Sequence, residues 1–253
     1  NQTVEGFVQR LREHRIGTVY AWVSWLKDDM EWGGRRDGTN TFDEVEGNVA
    51  TFASSFKALY PESILYAWVS VPVGTNGRDL SDDVVRQEVA EFSRRTVEEL
   101  GFDGVFLNVE PVWNNDTDFL ALVAAVRNAI GEDKLISAAI PPDWSPIDAG
   151  IPVPPLIVPG TVWEERYKQS VGLLVDELAV MAYNSGLSST EDYVDWVAYQ
   201  VQAYASAVAA LDTGAIHRGE LRKVRSGTDD VQQRRGPGVE RRSEGHRTED
   251  QDE

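Results

Sequence analysis

Two side chains in one short stretch, Asn108 and Glu110, have the types and the spacing for acid–base work on a bound substrate. They lie in Gly104-Val105-Phe106-Leu107-Asn108-Val109-Glu110, which Pro111 follows. The apolar run Val105, Phe106, Leu107, Val109 reads as a parallel strand covered on both faces. Alternate residues leave the same face of a strand, so the carboxamide and the carboxyl emerge side by side. Pro111 cannot donate to a ladder and ends the strand there. A carboxyl at a semi-buried mouth has its pKa raised and can deliver a proton near neutral pH. In βα-repeat barrels the carboxyl ends of the strands carry the chemistry.

Phe102-Asp103-Gly104 leading into this strand resembles the catalytic strand of the chitinase-like barrels. In glycoside hydrolase family 18 the pattern is Asp-Gly-x-Asp-x-Asp-x-Glu. Asp103, Gly104 and Glu110 match it, Phe106 replaces the first inner Asp, and Asn108 replaces the second. The Asn-x-Glu ending is closer to the related endo-β-N-acetylglucosaminidases of family 85, which read Phe-Asp-Gly-x-x-x-Asn-x-Glu. Met181-Ala182-Tyr183-Asn184 resembles the Met-x-Tyr-Asp end of a later family 18 strand.

By order of elements the resemblance runs from residue 16 to residue 200. It implies a retaining, substrate-assisted hydrolase of N-acetylglucosamine-containing glycans, in which the sugar's own acetamido group is the nucleophile. Glu110 would be the acid/base. Asn108 would hold the acetamido group, and Tyr183 would add a second hydrogen bond to it. The loss of both inner aspartates keeps a non-catalytic carbohydrate-binding relative as the alternative. A third reading is a barrel of another class in which Glu110 merely ends a strand.

Trp113, Trp144 and Trp32 fall in loops after strands, on the face expected to carry the chemistry. Indole faces stack on sugar rings, so these are candidate subsites, with core packing as the competing account. Asp143 and Asn184 are further candidate polar contacts. Trp22, Trp25 and Trp68, in or beside strands, and Trp196, in a helix, read as core. Asp103 opens the strand and reads as a turn or cap residue.

Composition narrows the partners. The 253 residues carry a net charge of −18, which argues against a nucleic-acid backbone or an anionic membrane. Such acidity keeps a chain soluble at high salt, so a salt-adapted source is expected, with an extracellular or cell-surface location. There is no cysteine, hence no disulfide framework. His14, His217 and His246 have no metal-ligand spacing, and no nucleotide or phosphate-cradling motif is present. No metal or cofactor is expected. No apolar run is long enough to span a membrane. The sequence does not specify the oligomeric state.

Positioning Glu110 requires a βα-repeat scaffold. The hydrophobic periodicity predicts helices over 3–15, 41–59, 81–100, 116–130, 163–175 and 190–211. It predicts strands over 18–26, 64–73, 104–110, 135–140 and 178–183. Residues 27–41 read as a polar loop, Ser81 as a helix cap, and 143–159 as a proline-rich loop. Strands separated by helices throughout predict a parallel sheet with right-handed crossovers. The expected fold class is therefore α/β, of the (β/α)8 TIM-barrel type. Only about five of its eight βα units are visible.

Composition changes after residue 213. Residues 214–253 carry nine basic and nine acidic side chains and no aromatic residue, so residues 1–213, with 15 basic and 33 acidic, hold the whole charge imbalance. A partial glycoside hydrolase barrel over 1–213 and a disordered polar tail over 214–253 are expected. The start at Asn1 rather than Met suggests a processed chain or a fragment, and so acidic a body joined to so different a tail suggests a longer barrel truncated or frame-shifted near residue 213.

Overall fold

The structure, a computed structural model, describes residues 3–74, 78–145, 150, 153–154, 157, 160–183 and 185–213. The chain divides into two compact units, Asn1–Ala209 and Ala210–Glu253. Of the second, only the backbone of 210–213 and the side chain of Leu211 are described. The expected tail over 214–253 lies outside the described residues.

Twelve elements follow in order: α1 (Val4–Glu13), β1 (Thr18–Leu26), β2 (Trp32–Gly33), α2 (Phe42–Leu59), β3 (Ile64–Pro72), α3 (Asp83–Glu98), β4 (Gly104–Glu110), α4 (Thr117–Ile130), β5 (Leu135–Ile140), α5 (Glu165–Gly172), β6 (Glu177–Val180) and α6 (Thr190–Thr213). The sheet order is β2-β1-β3-β4-β5-β6. The four pairings from β1 to β6 are parallel, and β2 alone runs antiparallel. This is an α/β fold of the TIM-barrel type, with five parallel strands among the described residues. Tyr20 on β1 donates its hydroxyl to Glu177 on β6. These strands lie near opposite ends of the sheet, so the sheet curls to bring them together.

Two helix starts are fixed by aspartates. Asp82 accepts from Val84 N at 2.8 Å, so it caps α3 in place of the expected Ser81, whose own amide closes a turn on Asp79. Asp116 accepts from the amides of Asp118 and Phe119 at the start of α4. A carboxylate satisfies orphan helix amides and also opposes the positive end of the helix dipole. At α2, Glu44 reaches back to the amide of Thr41 at 2.9 Å, half of a capping box.

The core has two layers. Val105, Leu107 and Val109 of β4 face the helices, in a large cluster with Phe92, Phe119, Leu122 and Val126. Phe106 faces the other way, into a smaller interior cluster with Tyr66 and Ala139, flanked by Tyr20 and Trp68.

Asp103 and Asp176 form a repeated device below this interior. Asp103 accepts from Leu65 N of β3 and from Lys57 Nζ of α2, both at 2.8 Å. Asp176 accepts from Ile136 N of β5 at 2.9 Å and pairs with Arg127 of α4. In both cases an aspartate just before one strand clasps the second amide of its neighbour and a cation from the helix that leads into that neighbour. Tyr66 feels both carboxylates, and burial together with their charge pushes its pKa up to about 12. Gly104 is required beside Asp103, because a Cβ there would lie 2.3 Å from the Leu135 carbonyl oxygen.

The loop 27–41 departs from expectation. It contains β2, which folds back on β1 with Leu26 opposite Trp32. Trp32 is buried at 8% exposure, stacked on Phe92 at 3.9 Å, and donates its indole N–H to Glu88 at 2.8 Å. Its ring is therefore core and offers no face to a sugar, which corrects its reading as a subsite. The last strand is also shorter than expected, since β6 ends at Val180, three residues before Tyr183.

Candidate functional site

The parity of β4 settles where its polar groups point. Phe106 lies in the interior cluster, and Asn108 and Glu110 share its face. Ser70 of β3 stands opposite Asn108, and Pro72 opposite Glu110. The Glu110 carbonyl accepts from Val73 N at 2.9 Å, which fixes the end of the strand. The peptide bond from Glu110 to Pro111 is cis.

Asn108 is half-buried, and its carboxamide makes no hydrogen bond among the described residues. The carboxylate of Glu110 likewise has no ion-pair or hydrogen-bond partner there. It reaches solvent, yet the surrounding protein removes enough water to raise its pKa above the ordinary value. Tyr183, 65% exposed, follows β6. Its phenol pKa is raised first by desolvation and then by the negative charge of Glu110. Both groups lie at the carboxyl ends of strands of one sheet, and the Tyr183 hydroxyl contacts Met181 Sδ at 3.8 Å.

Trp113 stands 47% exposed beside this mouth. With Pro111, Val73, Arg78 and Leu80 it lines a cleft of about 270 Å³. Trp144 is 43% exposed. Asp143 is not free to meet a ligand. Its carboxylate pairs with the buried Lys168 and accepts from Trp144 N, while Gln200 clamps its backbone in both directions. Asn184 lies outside the described residues. Asp103 sits at the opposite end of the strand and serves the clasp, in agreement with its reading as a structural residue.

The sequence reading missed part of the mouth. Trp22 and Trp68, read as core, are half-exposed on the interior side. Trp68 stands edge-on to Phe106 and donates its indole N–H to Ser70 Oγ at 3.0 Å. Arg36, from the loop after β2, sits over both indoles, 5.4 Å from the ring centre of Trp22 and 5.6 Å from that of Trp68. The only available signal was register: Trp22 pairs with Trp68, and Trp68 with Phe106, so all three share a face.

No group of three or more His, Cys, Asp or Glu among the described residues is placed to hold a metal ion. No described helix is long and apolar enough to cross a membrane.

No protein-family model matches the chain, and no curated protein matches it. Solved structures do. A class V chitinase from Pseudomonas fluorescens Pf-5 is 23% identical with a TM-score of 0.53, over 81% of this chain and 62% of that one. The spore cortex-lytic enzyme SleL of Bacillus cereus is 12% identical with a TM-score of 0.56, over 81% and 44%. A family 18 chitinase from Cycas revoluta, solved with allosamidin, is 16% identical with a TM-score of 0.53, over 76% and 58%. A family 18 chitinase from Cycas revoluta was also solved with (GlcNAc)3. This chain spans 44% to 62% of the length of these three structures. At these identities the likeness is one of fold: the chain has the chitinase-like barrel fold. The neighbours whose family is stated belong to family 18, and the Asn-x-Glu likeness to family 85 rests on the motif alone.

Proposed function

We propose that the chain is a glycoside hydrolase acting on N-acetylglucosamine-containing glycans, by a retaining, substrate-assisted route. The observation that carries this reading is the placement of Asn108 and Glu110, neither with a hydrogen-bond partner among the described residues, on the interior face at the carboxyl end of β4. Burial raises the Glu110 carboxyl above its ordinary value, and Tyr183 follows β6 of the same sheet. Protonated Glu110 gives its proton to the glycosidic oxygen as the C1–O bond breaks. The acetamido carbonyl oxygen attacks C1, while Asn108 and the Tyr183 hydroxyl orient that group. Water then attacks C1 as the bond from the acetamido oxygen to C1 breaks and restores the acetamido group, and the Glu110 carboxylate takes the water's proton.

The second reading is a carbohydrate-binding relative without turnover, and Phe106 favours it. Where the family 18 pattern has an aspartate, this ring packs 4.6 Å from Tyr20 and 5.3 Å from Trp68. The carboxylate that shares the face of Phe106, Glu177, is engaged by the hydroxyls of Tyr20 and Ser137, so the position that is acidic in the pattern is apolar here.

Hydrolysis of a chromogenic chitobioside at high salt, compared between the native chain and Glu110→Gln, tests the reading. A positioned general acid contributes about 10²–10⁴-fold, so the variant should lose turnover by that order while still binding N-acetylglucosamine trimer. Trimer binding without turnover in the native chain selects the binding relative. No binding at all removes both readings.

A further inference from the structure

We propose that Arg36, held over Trp22 and Trp68, forms a subsite for a carboxylate-bearing sugar within an N-acetylated glycan. This deepens the glycan-binding reading above and rests on it.

The position of Arg36 is built into the loop. Residues 35–38 form a turn, closed by Gly38 N on the Arg35 carbonyl at 3.0 Å. Gly38 takes φ 75° there, a conformation that costs glycine little. The Trp25 indole N–H donates to the same carbonyl at 3.0 Å and ties the turn to β1. The side chain of Arg36 is thereby carried over the two indoles on the interior side of the sheet.

Its charge is also left open. Asp37, the adjacent carboxylate, accepts from the amide and hydroxyl of Thr39 at 3.1 and 2.8 Å. Arg36 is exposed and makes no ion pair or hydrogen bond among the described residues. Arg78, Arg94 and Arg95 are drawn into ion pairs, whereas Arg10, Arg15, Arg35 and Arg166, like Arg36, make none among the described residues; Arg36 differs from these four in lying over two indoles. A guanidinium lying over aromatic faces keeps its N–H edge free for bidentate contact with a carboxylate.

The surroundings suit a sugar. Trp22 and Trp68 supply half-exposed aromatic surface. Ser70 accepts from Trp68, so its own proton is directed elsewhere. Asn108, opposite Ser70, presents its free amide on the same face. A neutral chitin-type chain would leave Arg36 without a counter-charge. A glycan alternating N-acetylglucosamine with an acidic sugar would supply one.

Calorimetric titration of the full chain against three tetrasaccharides tests this. One is all N-acetylglucosamine, one alternates it with N-acetylmuramic acid, and one alternates it with glucuronic acid. The native chain should bind at least one carboxylated ligand about tenfold more tightly than the neutral one, as expected for a charge-assisted contact. Which of the two is preferred identifies the source of the carboxylate. Arg36→Gln should remove the preference, and added NaCl should weaken the preference in the native chain. Equal binding of all three by the native chain overturns the proposal and leaves the glycan reading standing, as does a preference that survives Arg36→Gln. Failure to bind any of the three removes both.

Discussion

At Glu110 the desolvation that favours proton donation also works against the folded state once the group ionises. Its folded pKa is raised above the unfolded value of about 4.3. The native chain therefore keeps a proton through a window in which the unfolded chain has released it. Stability from this group is fully present below the unfolded pKa and is lost as pH rises through the folded one. Glu110→Gln cannot ionise. Its Tm should exceed that of the native chain at pH 7, and the difference should vanish below about pH 4. A variant that is less stable at pH 7 would mean that the native carboxylate has a stabilising partner in solution. Asn108 and Glu110 were legible in the sequence because strand alternation is local and Pro111 marks the strand's end. Asp143 was not, because its partners Lys168 and Gln200 lie 25 and 57 residues away. No short-range pattern announces such a pairing. Arg36 was missed for a related reason, since its place depends on how a loop folds over two strands.

Among the elements, the clasps at Asp103 and Asp176 hold neighbouring strands at their opening ends. Leu65 is fully buried, so Asp103→Ala would strand its amide without an acceptor and leave Lys57 only the carbonyls of Pro61 and Ser63. An unsatisfied buried donor costs about 1–3 kcal/mol, and the ion pair, partly exposed on both sides, adds little to this. Urea unfolding of Asp103→Ala should show a loss in that range with an unchanged m-value. A loss under about 0.5 kcal/mol, the level of an ordinary surface substitution, would remove the clasp as a determinant of strand order. β1 and β5 run where the sequence places them, because long apolar runs bounded by polar residues leave little choice of register. β2 escaped notice because two residues carry no periodicity, and its pairing to β1 is a tertiary event. The early end of β6 likewise reflects the sheet, since its last ladder partner, Ile140, is also the last residue of β5.

For the molecule as a whole, charge is the widest-acting term. The −18 excess lies within residues 1–213, and like charges spread over one folded body repel. The screening length falls from about 10 Å at 0.1 M to about 3 Å at 1 M salt. Raising NaCl over that range should therefore raise Tm. In a domain of this size about 1 kcal/mol corresponds to roughly 2–4 °C. A Tm that stays flat or falls would show that the acidic surface is not under net repulsion. The clasps also set an order in time as the chain is made. Leu65 precedes its acceptor Asp103 by 38 residues, and Ile136 precedes Asp176 by 40. At about 5–20 residues per second of synthesis, the second amide of each strand waits roughly 2–8 s for the carboxylate that secures it. A nascent chain paused before residue 103 holds β3 with the Leu65 amide unclaimed by Asp103, so the translation rate across 65–103 and 136–176 sets how long these two donors stay open.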